Sequence, residues 1–308
     1  MSHTLRIGTR GSQLALTQSR WVQAALQRQH PTLTVELLTI KTTGDRFVDT
    51  PLSTIGGKGV FVKEIEEALT DGRVDCAVHS MKDVPTELAP GLVIAAVPTR
   101  EDPRDVLVSR TRGTVRELPD RARLGTSSLR RMALVRAQRN DLDVVALRGN
   151  VDTRLRKLDA GELDALVLAS AGLRRLGIVR ADMVLLDPLD FVPAIGQGAL
   201  AIESRDDATR ALLAVLDDAE TRIAVSAERA FLARVGGSCR TPLAAHATVN
   251  AGHVDLRALI ANPDGTQIVR GARGAEIAGA AALGRELADE LLGRGGRRIL
   301  DALAAAAE

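Results

Sequence analysis

Residues 235–242 read VGGSCRTP and hold one of only two cysteines in the 308-residue chain. Cys239 follows two glycines and a serine and precedes Arg240 and a Thr-Pro turn, which places its thiol on a loosely built loop leaving a helix. Arg240 favours a thiolate, and the C-terminal dipole of the preceding helix opposes one. Read locally, Cys239 is either a reactive thiol or an inert loop cysteine. Cys76, inside Val74-Asp-Cys-Ala-Val78, reads as a core residue of an apolar strand.

Four further stretches place arginine just after a strand end, beside small or hydroxyl residues that begin a helix. They are Gly8–Ser12, with Arg10 and Ser12; Gly125–Arg131, with Thr126, Ser127, Ser128, Arg130 and Arg131; Leu147–Asn150, with Arg148 and, a turn later, Arg154; and Ser170–Arg175, with Arg175. Ligands of open α/β sheets bind beyond the carboxyl ends of the strands. The first turn of a helix attracts anions through its free N–H groups and its dipole. That dipole disfavours an arginine there by about 0.3–1 kcal/mol, so four repeats point to a ligand with several carboxylates or phosphates. The alternative is a set of surface arginines in a chain whose base composition favours them. Of 41 basic residues five are lysine and 36 arginine, which fits both readings; arginine is the better fork for a carboxylate.

His79-Ser-Met-Lys82-Asp83-Val-Pro85 follows the strand that contains Cys76. Pro85 stops regular structure, so Lys82 and Asp83 fall at the same kind of strand edge as the arginines. A carboxylate among many cations suits a ligand that becomes cationic during reaction. The alternative is a solvated Lys-Asp turn.

Other chemistries are poorly served. No GxxxxGK phosphate loop occurs; Gly56-Gly57-Lys58-Gly59 reads better as the end of a mobile loop, Gly44–Gly59, lying over a cleft. The five histidines have no zinc spacing with either cysteine, so no metal site is expected. Four Phe, one Trp and no Tyr leave few stacking platforms for single-stranded nucleic acid. Net charge is only +2. Residues 1–20 contain no apolar signal segment and no apolar run approaches a membrane span. The expectation is a cytoplasmic, reduced, monomeric protein with neither nucleic acid nor membrane as partner.

The elements that must position these residues alternate. Strands are expected at Leu5–Ile7, Leu33–Ile40, Val74–Val78 and Leu92–Val97, with helices from Ser12 and around Phe61–Leu69. The pattern repeats with strands ending at Gly125, at Val144–Leu147 and at Ala165–Ala169. Pro and Gly clusters at Glu101–Arg104 and Pro193–Gly198 suit interdomain crossings. From about residue 219 a helix carries Ile223, Ala227, Ala230 and Phe231 on one face. Short alternating strands follow, with turns at Ala251-Gly252 and Asn262–Gly265, and alanine-rich helices close the chain.

In order, LRIGTRGSQLAL, GDRFVDTPL, GGKGVFVKEIEEAL, VDCAVHSMKDVPTE, REDPRD, GTSSLRR, LRGNVDTRLRKLD, AGLRRLG, PAIGQGALAIE and GGSCRTP closely resemble the porphobilinogen deaminase (hydroxymethylbilane synthase) family over about residues 5–245. AVHSMKDVP and GTSSLRR are highly specific, and the last sixty residues add little. The resemblance implies two periplasmic-binding-protein-like α/β domains, 1–100 with 198–216 and 101–197, and a small α+β C-terminal domain, 217–308. It implies a dipyrromethane cofactor held as a thioether by Cys239, priming the head-to-tail condensation of four porphobilinogen units with loss of ammonia. It further implies that Arg10, Ser12, Lys82, Thr126, Ser127, Ser128, Arg130, Arg131, Arg148, Arg154 and Arg175 contact carboxylates of cofactor or substrate. Asp83 then stabilises the cationic azafulvene formed as ammonia leaves. Ser238 stands where the family often has glycine, a change expected to stiffen the loop slightly. The competing class is an anion-binding module without chemistry, against which Asp83 and Cys239 both argue.

Overall fold

The structure, a computed structural model, describes residues 4–46, 62–237 and 241–306. Its chain contacts divide it into two compact units, Met1–Glu101 with Ala199–Arg222, and Asp102–Gly198 with Ile223–Glu308.

The first unit opens with β1 (Thr4–Thr9), α1 (Gln13–Gln29) and β2 (Thr34–Thr39). The strand–helix–strand pattern closes into a parallel pair with Leu5 opposite Val35 and Ile7 opposite Leu37. Ser12 caps α1, its side chain accepting from Ala15 N–H, which is the ordinary use of serine at that position. A short α2 (Thr43–Arg46) and α3 (Lys63–Thr70) lead to β3 (Cys76–Ser80), a 3-10 turn at Met81–Asp83, and β4 (Leu92–Ala96). β3 starts two residues later than the apolar pattern at Val74 indicates. The Val74 N–H is drawn to Ala68 O at the end of α3, so its burial terminates a helix and does not begin the strand. Ile7, Leu26, Ile65, Leu69 and Cys76 are fully buried between sheet and helices.

The second unit begins at β5 (Asp105–Ser109), which runs antiparallel to the strands that matter for the site. Next come β6 (Arg123–Gly125), α4 (Leu129–Gln138), β7 (Asp143–Val145), α5 (Val151–Asp159), β8 (Ala165–Ala169), α6 (Ser170–Arg175) and β9 (Met183–Leu185). The sheet order is β7-β6-β8-β5-β9, with β6 parallel to both β7 and β8. A Cβ at Gly125 would lie 2.7 Å from Leu147 and 2.8 Å from Leu163. Glycine at the end of β6 therefore lets those side chains close over the strand.

The chain then returns to the first unit as β10 (Leu200–Arg205), inserted antiparallel between β3 and β4 to give β2-β1-β3-β10-β4. The two sheets share a plan, a parallel trio followed by one antiparallel strand and an edge strand. The antiparallel members β5 and β10 are not among the strands expected from the sequence. They come first and last in the sheets' chain order, so their pairing depends on long-range closure.

After α7 (Ala208–Leu213) comes α8 (Ala219–Val235), which crosses the boundary between the units. The antiparallel sheet β11 (Leu243–Asn250), β12 (His253–Ala261) and β13 (Ile268–Glu276) then packs with α9 (Ala280–Leu291), and α10 (Arg297–Ala305) follows. Both expected hairpins form, with Ala251 at φ 47 and Gly252 at φ 84 in the first turn. Phe231, Leu256, Ile260, Leu287 and Leu291 make one core of this region. Leu259 and Ala261 reach a second core with Leu124, Leu134 and Val144. That shared core joins the α+β region to the second α/β layer within one unit.

Candidate active site

Parallel strands present their carboxyl ends at one edge. In the first unit that edge carries Arg10 after β1 and Lys82 and Asp83 after β3. Arg10, Ser12 and Lys82 are half-buried, and Asp83 is exposed. The edge is tied down beneath them. Met81 N–H donates to Ala199 O at 3.0 Å. Gln18, buried on α1, donates from Nε2 to Ser80 Oγ at 3.1 Å. Asp83 thus projects from a short turn fixed on both sides, suited to meeting a ligand without reorganising.

In the second unit the loop after β6 is built from its own hydroxyls. Ser127 Oγ donates to Leu147 O at 2.7 Å, and Thr126 Oγ1 accepts from Ser128 N–H at 3.2 Å. Ser128 caps α4 by accepting from Arg131 N–H at 3.4 Å. Ser12 and Ser128 both accept as caps, which leaves each hydroxyl proton free in principle to donate to an anion. Gly149, at φ 103, makes the turn that carries the chain from Arg148 into α5.

Arg130 and Arg131 point inward, onto the first residue of the antiparallel strand. Arg130 Nη1 donates to Asp105 Oδ2 at 2.6 Å and to Val192 O at 2.9 Å. Arg131 donates from Nη2 and Nε to Asp105 Oδ1 at 2.8 and 3.0 Å, and from Nη1 to Val167 O at 2.9 Å. Gln197 Nε2 adds a donor to Oδ1 at 3.0 Å. Burial alone would raise the Asp105 carboxyl, but the two guanidiniums outweigh it and hold it below the usual carboxylate range. One carboxylate against two guanidiniums leaves this buried cluster a net positive charge.

Arg148 and Arg154 differ. Among the described residues neither pairs with an acidic side chain; Arg154 Nε donates only to Gly149 O, at 2.8 Å. Burial, and then the like charges of Arg131 and Arg148, pull the Arg154 guanidinium down to about 10. This half-buried cation is crowded by cations, a setting that favours an anionic ligand. Arg175, half-buried after β8, donates to Gly198 O at 2.6 Å.

The structure therefore gathers Thr126, Ser127, Ser128, Arg130, Arg131, Arg148, Arg154 and Arg175 at one sheet edge, and Arg10, Ser12, Lys82 and Asp83 at the other unit's edge. Cys239 lies outside the described residues, as does the expected lid apart from residues 44–46. Cys76 is fully buried, and burial pushes its thiol up, so it stays a protonated core residue. Sequence reasoning missed Asp105 and Gln197. Both stand in the Pro- and Gly-bearing stretches REDPRD and PAIGQG, read as crossings and as family motifs with no site role; an aspartate immediately opening an apolar strand is the available signal.

The second unit is thus of the α/β class with a net-positive strand edge, where among the described residues Arg148 and Arg154 have no acidic partner, a setting suited to an anionic ligand. Residues 5–212 match the model of "Porphobilinogen deaminase, dipyromethane cofactor binding domain", and residues 222–293 that of "Porphobilinogen deaminase, C-terminal domain". The porphobilinogen deaminase of Syntrophotalea carbinolica is 53% identical over 304 residues, covering 98% of this chain and 96% of the relative. That of Syntrophobacter fumaroxidans is 51% identical over 299 residues, covering 96% and 97%. Partial likenesses among solved structures include the periplasmic aliphatic sulphonate binding protein of Escherichia coli, at 16% identity and TM-score 0.40 over 76% of this chain and 70% of that one. The chain belongs to the porphobilinogen deaminase family, whose members are hydroxymethylbilane synthases, transferases that carry a dipyrromethane cofactor.

Proposed function

We propose that the cationic strand edges hold the acetate and propionate groups of the dipyrromethane and of the porphobilinogen units joined to it. The observation that carries this is Arg154, half-buried beside Arg131 and Arg148 and facing no acidic partner among the described residues. A dipyrrole bearing several carboxylates matches that deficit of negative charge.

When bound through Cys239, the dipyrromethane supplies the pyrrole carbon to which substrate is added. The rest is work for the chain. Arg148, Arg154 and Arg175 bind carboxylates as forks, and Thr126, Ser127 and Ser128 line their approach. Arg130 and Arg131 act mainly through Asp105, fixing the α4 N-terminus with its surplus positive charge facing the ligand. Arg10, Ser12 and Lys82 orient substrate carboxylates on the other sheet edge. Asp83 accepts hydrogen bonds from pyrrole N–H groups and offsets the positive charge that develops on the substrate ring as ammonia departs.

The functional division we favour is 1–100 with 198–216 and 101–197 for ligand binding, and 217–308 for the anchor; the separate matches at 5–212 and 222–293 support the boundary near 217. The reading includes a cytoplasmic monomer that engages neither nucleic acid nor membrane. No helix among the described residues is long and apolar enough to cross a membrane.

Intact-mass measurement of purified protein tests the reading. One covalent dipyrrole is expected, mapping to the peptide with Cys239. An unmodified but active protein, or an adduct on Cys76, overturns it.

A further inference from the structure

α8 puts a glutamate where its spacing calls for an apolar residue. Ala224, Glu228, Phe231 and Val235 follow one another at intervals of four, three and four, so Glu228 lies on the face that the helix buries. Ala224, Phe231 and Val235 belong to the C-terminal core with Ile195, and Glu228 is fully buried. A carboxylate taken out of water needs donors. Two backbone N–H groups from distant parts of the chain reach this one. Gly196 N–H donates to Oε2 at 2.6 Å, and Ala247 N–H, on β11, donates to Oε1 at 2.8 Å. His246 Nδ1 stands 3.4 Å from Oε1. All these residues belong to the second unit.

Gly196 lies in the stretch Pro193–Gly198. Gln197 N–H closes a turn there on Ala194 O at 2.8 Å, and Gly196 takes φ 70 within it, which glycine allows at the third position of a turn. The turn's own bond does not use the Gly196 N–H. The residue is buried, so that donor needs an acceptor from outside the turn, and Glu228 supplies it. The next two residues reach the site. Gln197 Nε2 donates to Pro103 O at 2.6 Å and to Asp105 Oδ1 at 3.0 Å, the oxygen that also receives Arg131. Gly198 O accepts from Arg175 at 2.6 Å. One buried carboxylate therefore holds the turn from which both the Asp105 cluster and Arg175 are met.

We propose that Glu228 is a positioning residue for the carboxylate-binding edge of the second unit. Through Gly196 it sets where Gln197 meets Asp105 and where Gly198 meets Arg175. Through Ala247 it fastens the same turn to β11, the strand that follows Cys239 in the chain. One side chain thereby links the element after the anchor to the edge that receives the ligand. A carboxylate suits the task because its two oxygens accept from both donors at once, in charge-assisted bonds. An amide offers a single oxygen, and an apolar side chain would leave both N–H groups without this acceptor. The importance of Glu228 for turnover rests on the carboxylate-binding role given above to that edge.

The test uses the full-length, cofactor-loaded protein, with rates expressed per dipyrrole-bearing molecule as counted by intact mass. Glu228→Gln keeps the shape and one acceptor. Amide exchange in a peptide spanning 194–198 should quicken by about tenfold or more. Single-turnover ammonia release should slow on the order of 10- to 100-fold, the scale of a misplaced reacting group. Gln197→Leu cuts the same connection one residue further on and should slow release to a similar degree. The double variant should be no slower than the slower single one, because both losses run through one connection. A parent-like rate per loaded molecule in Glu228→Gln, with only a lowered urea midpoint, makes Glu228 a packing residue and overturns the proposal. So do losses that multiply in the double variant, or unchanged exchange at 194–198. If Glu228→Gln does not fold, glycolic acid incorporated at position 196, which replaces that N–H by oxygen and leaves Glu228 in place, decides by the same exchange and rate. Failure of the wider functional reading is seen separately, as a parent protein without dipyrrole mass.

Discussion

Asp105 receives Arg131 on one oxygen, Oδ1, at 2.8 Å from Nη2 and 3.0 Å from Nε, with both residues buried. The contact fastens the start of α4 to the antiparallel strand that begins at the same sheet edge. With Arg130 on the other oxygen, it ties two guanidiniums of the α4 N-terminus to one carboxylate.

Asp105→Ala should destabilise the protein by about 3–5 kcal/mol, because it leaves two guanidiniums buried and unpaired. Urea unfolding at neutral pH measures this. The carboxyl is depressed on folding, so its contribution is complete above the ordinary value of 3.8 and is lost as pH falls through the folded value. Asp105→Asn should accordingly flatten the acid limb of the stability curve. An unaltered acid limb would show that the ion cluster contributes no net stability.

Arg154→Met should separate stability from function. It removes a desolvated cation beside Arg131 and Arg148 and loses one bond to Gly149 O, two effects that oppose each other. The unfolding free energy should stay within about 1 kcal/mol of the parent, while the fraction of protein carrying dipyrrole drops. Intact mass and thermal melting on the same sample check both. A large loss of stability with normal loading would make Arg154 a structural residue.

Arg148→Lys keeps the charge and loses the planar fork. Chain elongation should slow, visible as a shift toward shorter enzyme-bound intermediates by mass. Parent-like progression would favour diffuse electrostatics over bidentate binding.

Asp83→Asn should fold normally, since the side chain is exposed on a short turn. Carboxylate binding should persist. Single-turnover ammonia release should fall by roughly 10²–10⁴-fold, the range for a positioned acid–base group. A rate within a few-fold of the parent would leave Asp83 a solvated turn residue.

Cys76 should resist iodoacetamide in folded Cys239→Ala protein and react once urea unfolds it, because burial holds its thiol protonated. Rapid alkylation of the folded variant would contradict the packing of β3.

Much of this was legible in the chain alone. Apolar spacing placed β1, β2, β8 and α1 and marked Cys76 as core, because burial of one face is a local pattern that side-chain periodicity reports directly. Small and hydroxyl residues after strand ends announced the caps at Ser12 and Ser128, and the residue types there named the ligand's charge. What only the tertiary structure decided is which of those charges are already answered. Arg130 and Arg131 look like Arg148 and Arg154 in sequence, yet Asp105, some 25 residues upstream, closes on the first pair and not on the second. Glu203 meets His79 only because β10 returns from far along the chain to lie beside β3. Such encounters follow from strand order and long-range closure, and no periodicity within a dozen residues encodes them.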